Sequence, residues 1–389
     1  MQALFLLKQK QDPYSSYSNY TDSPSYVNGD YGNYQAATGM WTSSKMVVDV
    51  LLEHDISSGI ELAQDANSID SIVSFLNPQR VFIEGLWVTP AKMEELLAFP
   101  AHQARIWTVR IHSDMPFLAT EGVAFDWMRQ YIELGVKIAP NSQRLYTELS
   151  NWMILMGKSQ LEIDNSLLYL PNCYPIDFRD NTHDDYNLQD KEVINIACFG
   201  AIRVMKNHLM QAYIAAEFAK RIGKKLRFHY NENVGSGGAG PRANMLSFFE
   251  SLPSEQFELV PHEWEDRDTF MQSLSEIDIL LQLSLSETMN IVAADATCVG
   301  KPVIVSDEIF WAFPLYGHTT NSAKTLEVLN IVYNKPQFFV SKNREGLENY
   351  ARTSESIWVR YFIEEVDVEQ LLTDAQSSTD SSISNCCGR

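Results

Sequence analysis

Long apolar runs are missing from this chain of 389 residues, and no stretch approaches the roughly 18 apolar residues that a membrane-spanning helix needs. The opening MQALFLLKQKQ holds five apolar residues in a row, too few for a signal peptide, and reads as a first strand. Any lipid that the chain meets is then met at the membrane surface. Positive charge is also scarce: 30 Lys and Arg against 50 Asp and Glu leave a net charge of −20, which opposes binding by phosphate neutralisation. Nucleic acid is therefore not an expected partner. The densest basic run, Lys220 to Arg227, reads as a solvated helix end leading into a strand. Cysteine is rare and shows no metal-ligand spacing: of the five, at 173, 198, 298, 386 and 387, three sit in apolar surroundings as small hydrophobes. That usage suits a reducing cytoplasm.

Apolar residues make up 45% of the chain and charged residues 21%, the balance of a globular protein with packed cores. The length predicts two domains. Short apolar runs alternate with amphipathic segments, the pattern of strand-helix-strand units around a parallel sheet, so the class is α/β with two doubly wound, Rossmann-like domains. In the first domain, 1–180, strands are expected at Ala3–Leu7, Arg80–Ile83, Ala104–Ile111 and Val136–Ala139, with helices such as Thr42–His54 and Phe125–Leu134. In the second, 190–345, they are expected at Val193–Phe199, Leu226–Tyr230, Phe257–Val260, Ile277–Leu283 and Pro302–Val305, with helices Lys206–Ile222, Arg267–Ser275 and Asn290–Val299. The polar, Asp-rich stretch 172–191 joins them, and the ligand cleft is expected between the lobes. Residues 346–371 read as terminal helices that pack back on the first domain, and the Ser- and Asp-rich 372–389 as a disordered tail. Six tyrosines fall between Tyr14 and Tyr34, in a long loop after the first strand, where their faces suit sugar or base stacking.

Three strand ends carry the candidate chemistry. In LSLSETMNIVAADATCVGKPVIVSD, Leu283 to Asp307, a strand ends, Glu287 stands on the following turn and a helix begins near Met289. A helix N-terminus offers unpaired amides and the positive end of a dipole, so the amides of Met289, Asn290 and Ile291 are natural donors to a diphosphate. Glu287 is placed to grip sugar hydroxyls and to stabilise positive charge developing on the sugar. A second strand end, Phe199-Gly200-Ala201-Ile202-Arg203-Val204-Met205-Lys206, brings two cations to a helix start, where the dipole alone disfavours them. Fixed cations there suit a leaving diphosphate. The third, Val109-Arg110-Ile111-His112-Ser113-Asp114, puts His112 where open α/β sheets place ligands.

These segments resemble the retaining glycosyltransferase family four, of GT-B fold. Glu287, Asp295 eight positions on and Gly300 five further follow that family's acid-x7-acid spacing and its Gly-Lys-Pro-Val end, with Asp in place of the usual second Glu. The resemblance implies a sugar transfer from a nucleotide-sugar donor, with UDP, GDP or ADP as the nucleotide, to an acceptor such as a glycan or glycolipid. It further implies retention, no cofactor and no metal, and the sequence shows no Asp-x-Asp pair in a strand-end loop, Asp184-Asp185 lying in the linker. By the same resemblance Arg203 and Lys206 meet the leaving phosphates, Asp295 contacts the donor ribose, and His112 faces the donor sugar across the cleft with Asp114 orienting it. Gly39 would open the first helix against the donor phosphates. Pro140-Asn141-Ser142 and Leu170-Pro171-Asn172 resemble structural turns of the family, and Gly235-Ser236-Gly237-Gly238 is either a flexible connector or a nucleotide contact. The alternatives are a catalytically silent sugar- or nucleotide-binding protein on this scaffold, a transferase acting on modified DNA bases, and an epimerase of similar bilobal shape.

Overall fold

The computed structural model describes residues 1–9, 26–27, 30–31, 39–179, 187–235 and 237–363. They divide into two compact units, the first holding Met1–Pro175 and the chain from Ala351 on, the second Ile176–Tyr350. Most of the tyrosine-rich loop, part of the linker and the tail 372–389 lie outside the described residues.

The first unit is built on strands β1 (Ala3–Lys8), β2 (Tyr26–Val27), β3 (Asp30–Tyr31), β4 (Ser58–Ala63), β5 (Arg80–Glu84), β6 (Ile106–Ile111) and β7 (Lys137–Pro140). They form a seven-stranded sheet in the order β3-β2-β4-β1-β5-β6-β7, parallel from β4 to β7, with β2 and β3 added antiparallel at one edge. The period of two explains why β1 reads as an unbroken apolar run: Leu4 and Leu6 face one core with Val81 and Ile83, while Ala3, Phe5 and Leu7 face another with Phe82. Helix Gly39–Glu53 covers the Phe5 side, and helices Ile69–Leu76, Pro90–Leu97, Ala124–Glu133 and Gln143–Leu155 cover the other.

The described part of the C-terminal segment forms one helix, Pro336–Ile363, and residues 364–371 lie outside the described residues. Gly346 lets this helix pass close to another segment, since a Cβ there would lie 2.0 Å from the Trp311 carbonyl oxygen. From Ala351 on it belongs to the first unit, where Trp358 is buried with Phe5 and Phe82 and its indole Nε1 donates to the Pro171 carbonyl at 2.6 Å.

The second unit holds β8 (Val193–Cys198), β9 (Lys225–Asn231), β10 (Phe257–His262), β11 (Ile279–Gln282) and β12 (Val303–Val305), a parallel sheet ordered β10-β9-β8-β11-β12. The basic run spans the end of helix His208–Arg221 and the start of β9, where Lys225 and Arg227 pair with Glu258. In both sheets the chain adds strands on one side and then returns to the other, which puts switch points between β8 and β11 and between β1 and β5. The crevice beyond the carboxyl ends of strands at such a point is where open α/β sheets bind ligands. The three buried cysteines, 173, 198 and 298, are free, and burial pushes the Cys173 thiol up to about 12, so it stays an inert hydrophobe. No described helix is long and apolar enough to cross a membrane.

Candidate functional site

At the switch point of the second unit, the loops after β8 and β11 are stitched together by amide side chains. Gln282 Nε2 donates to the Phe199 carbonyl at 2.9 Å, and Gln211 donates from Nε2 to the Lys206 carbonyl at 2.7 Å while its Oε1 accepts from the Leu283 amide at 3.0 Å. Asn207, in the left-handed region at φ 57°, donates to the carbonyls of Leu283 and Thr319 at 3.2 and 2.9 Å. The Leu285 amide reaches the Met205 carbonyl at 2.8 Å. This bracing brings Lys206 and Glu287, far apart in sequence, into an ion pair, with side chains only 16% and 15% exposed.

Glu287 is held on three sides. Besides Lys206, it accepts from Asn290 Nδ2 at 3.1 Å and from the Thr288 amide at 3.2 Å. Burial pushes its carboxyl up, but the Lys206 ammonium, these hydrogen bonds and the Arg203 charge outweigh burial and leave it below the ordinary carboxylate value. Asn290 adopts the left-handed conformation at φ 64°, caps helix Ile291–Cys298 by accepting from the Ala293 amide at 2.9 Å, and donates to Gln282 Oε1 at 2.9 Å. The amides of Ile291 and Val292 have no hydrogen-bond partner among the described residues, so the first turn of this helix offers donors beside Glu287. Met289 is buried, and its carbonyl accepts from Trp311 Nε1 at 2.6 Å.

Asp295 lies elsewhere in this arrangement. Helix Ile291–Cys298 is buried from Ala293 to its end, and Asp295, inside that stretch, is paired at 2.8 Å with Arg267. A buried carboxylate requires such a partner. Arg203 precedes the tight turn Val204–Lys206; its carbonyl accepts from the Lys206 amide at 3.1 Å, and its side chain has no ion pair or hydrogen bond among the described residues. Next to it His208 is buried, and burial together with the Lys206 and Arg203 charges outweighs a backbone contact to Gly200 and pushes its pKa down to about 4, so the ring is neutral at pH 7.

One sequence expectation needs correction. An Asp-x-Asp pair does stand after a strand, Asp266 and Asp268 beyond β10. Asp266 is a helix cap, accepting from the amides of Asp268 and Thr269 at 3.0 Å each, and Asp268 pairs with Arg179 at 3.1 Å.

In the first unit, β5 and β6 end in a buried polar cluster next to the switch point. Arg110 Nη1 bonds both oxygens of Glu84 at 2.8 and 3.1 Å, and Nη2 reaches Asn172 Oδ1 at 3.1 Å and the Leu170 carbonyl at 3.3 Å. The guanidinium also lies 5.0 Å from the centre of the Trp358 ring. His112 Nε2 pairs with Glu84, and Asn141 Nδ2 approaches His112 Nδ1 at 3.3 Å. Glu84 therefore orients His112, and Asp114 does not: Asp114 is taken by Ser142 Oγ at 2.5 Å and Arg144 Nη2 at 2.6 Å. Burial pushes the Glu84 carboxyl up, but Arg110 and His112 pull it below its ordinary value. The turns with Asn141 and Asn172 thus hold the cluster. Sequence reasoning missed Glu84 and Arg110, although two opposite charges ending adjacent apolar strands were a readable sign of a pair. Gly39 is the first residue of its helix and exposed, with open space where a Cβ would stand.

No family model and no curated protein matches the sequence. Solved structures do match. The UDP-forming α,α-trehalose-phosphate synthase of Burkholderia xenovorans aligns over 93% of this chain and 98% of its own, at 10% identity and a TM-score of 0.60. The sucrose-phosphate synthase of Thermosynechococcus elongatus aligns over 97% of this chain and 100% of its own, at 13% identity and a TM-score of 0.61. The N-terminal domain of the trehalose-6-phosphate phosphatase of Candida albicans aligns over 96% and 97%, at 10% identity and a TM-score of 0.64. A protein named as a phosphatase shares the architecture with two synthases, so the likeness speaks for fold and leaves the reaction to the site. Its two parallel-sheet α/β domains give this chain the fold of the GT-B glycosyltransferases.

Proposed function

We propose that this protein is a metal-independent, retaining glycosyltransferase that takes a sugar from a nucleotide-sugar donor bound by the second unit. The observation that carries the reading is the Lys206–Glu287 pair at the β8/β11 switch point, beside Arg203, whose side chain is unpaired among the described residues, and the open first turn of helix Ile291–Cys298. The grouping supplies opposite charges for the two ends of a nucleotide sugar. Arg203, Lys206 and the helix amides meet the diphosphate and stabilise the charge it gains on leaving. Glu287, released from Lys206 as the diphosphate takes that cation, accepts from sugar hydroxyls and stabilises positive charge developing at the anomeric carbon. His112, fixed by Glu84, contributes a polar contact to the donor sugar; this part rests on the family resemblance alone.

UDP is the nucleotide to try first, because the Burkholderia neighbour is named as UDP-forming, and sugar phosphates are the first acceptors, since the synthases are named for phosphorylated disaccharides. The test is turnover of UDP-, GDP- and ADP-sugars with a panel of sugar and sugar-phosphate acceptors, with and without EDTA. Transfer or slow donor hydrolysis is expected, unchanged by EDTA, and Lys206→Ala and Glu287→Ala should each lower it by about 100-fold or more. Full activity in both variants would discard the site. The capture of Asp295 by Arg267 favours the second reading, a silent nucleotide-binding scaffold, which predicts nucleotide binding with neither transfer nor hydrolysis.

A further inference from the structure

The glycine-rich loop after β9 is pinned to the segment that carries Arg203. The Ile202 amide donates to the Asn233 carbonyl at 2.8 Å and the Gly235 amide to the Ile202 carbonyl at 2.9 Å, so residues 233–235 run beside Ile202 like a short extra strand. The pinning lays Gly235 against the side chain of Arg203. A Cβ on Gly235 would stand 2.7 Å from Arg203 Cγ and 2.8 Å from Cδ, closer than real Cβ contacts come. The Arg203 side chain has no ion pair or hydrogen bond among the described residues to set its orientation, so packing against the bare backbone of Gly235 sets it. Gly235 is not among the glycines with positive φ, so its backbone accepts alanine, and only the Arg203 side chain has to give way. Gly238, three residues on, differs: a Cβ there would meet the Ile202 carbonyl oxygen at 2.0 Å, a clash with backbone.

We propose that Gly235 is a positioning residue whose missing side chain holds the Arg203 guanidinium in the orientation that meets the donor diphosphate. The proposal rests on the reading of Arg203 given above. The glycine-rich loop then serves the site through Arg203, without itself touching the nucleotide.

The experiment is a double-mutant cycle on the full chain: wild type, Gly235→Ala, Arg203→Ala and the double variant. Each is titrated calorimetrically with UDP, GDP and ADP, and its melting temperature is recorded. Arg203→Ala is expected to weaken the best-bound nucleotide about 10-fold or more, the scale of a lost charge-assisted contact. Gly235→Ala is expected to weaken it several-fold with the melting temperature little changed, and to add nothing in the Arg203→Ala background. Equal weakening by Gly235→Ala in both backgrounds, or no weakening by it at all, would overturn the positioning role while leaving Arg203 in the site. No effect of Arg203→Ala, or no nucleotide bound by the wild type, would overturn the assignment of Arg203 itself and this proposal with it.

Discussion

Glu287 illustrates how much a single side chain depends on a distant one. Its lowered pKa is set chiefly by Lys206, so the pair stabilises the fold fully above the ordinary carboxylate value of 4.5 and stops doing so as pH falls through the depressed folded value. Lys206→Met should therefore cost about 1–3 kcal/mol at pH 7, less than a fully buried pair because both side chains keep some solvent contact, and the gap to wild type should narrow progressively as pH falls below 4.5. Urea unfolding at pH 7 and pH 4 checks both the size and the direction. His208 gives a slope of the same sign for the same thermodynamic reason. With a folded value of about 4 against an ordinary 6.5, the unfolded chain binds the proton first, so stability declines between those pH values as acid is added, by at most about 1.4 kcal/mol per pH unit. His208→Gln should flatten that decline, as measured by unfolding at pH 6.5, 5.5 and 4.5. The residue types at 203, 206, 287 and 112 were legible because strand ends, a helix start and an isolated charge are local signals. The partner of each was not, since Glu84 reaches His112 and Arg267 reaches Asp295 from other segments of the chain.

Among the elements, the helix Ile291–Cys298 does most to shape the candidate site, and its cap decides where it starts. Asn290 tolerates the left-handed backbone that β-carbon sterics disfavour for most residues, and its side chain serves Ala293, Gln282 and Glu287 together. Asn290→Gly keeps the backbone and should cost only a few tenths of a kcal/mol through the cap, while turnover falls as Glu287 loses its donor. Asn290→Ala adds backbone strain, for a total of about 1–3 kcal/mol. Circular dichroism melts paired with donor turnover separate the two, and equal turnover in wild type and Asn290→Gly would mean Glu287 needs no such support. Sequence periodicity located most strands within a residue or two, because a strand buried on both faces is an apolar run whichever way it is read. It overlooked β4, Ser58–Ala63, whose Gly59 and Glu61 break the run; Glu61 is half-buried, and burial pushes its carboxyl up to about 7. In the C-terminal segment Gly346 sits within helix Pro336–Ile363, tolerated because the neighbouring backbone leaves room for nothing larger.

At the scale of the molecule, the last described helix ties the end of the chain to the sheet where it began. Trp358 fills the space between Phe5, Phe82 and Arg110, and Trp358→Ala should cost about 3–5 kcal/mol by opening a cavity and removing a hydrogen bond. The readout is a drop in melting temperature without loss of nucleotide affinity at temperatures where the protein stays folded, since the site of the second unit is untouched; a drop in affinity at equal foldedness would contradict that separation. The −20 charge acts at this scale too, a long-range property that needs no fold to state. From the order of its residues alone this chain is an α/β protein of two parallel-sheet domains, with its candidate chemistry at strand ends, because burial period, helix starts and charge are properties of neighbours in sequence. The tertiary structure decided which of those residues meet. It joined Lys206 to Glu287, gave His112 to Glu84 and Asp295 to Arg267, and turned a glycine-rich stretch into the support of Arg203, because contacts across a sheet depend on strand order and close packing that local sequence does not encode.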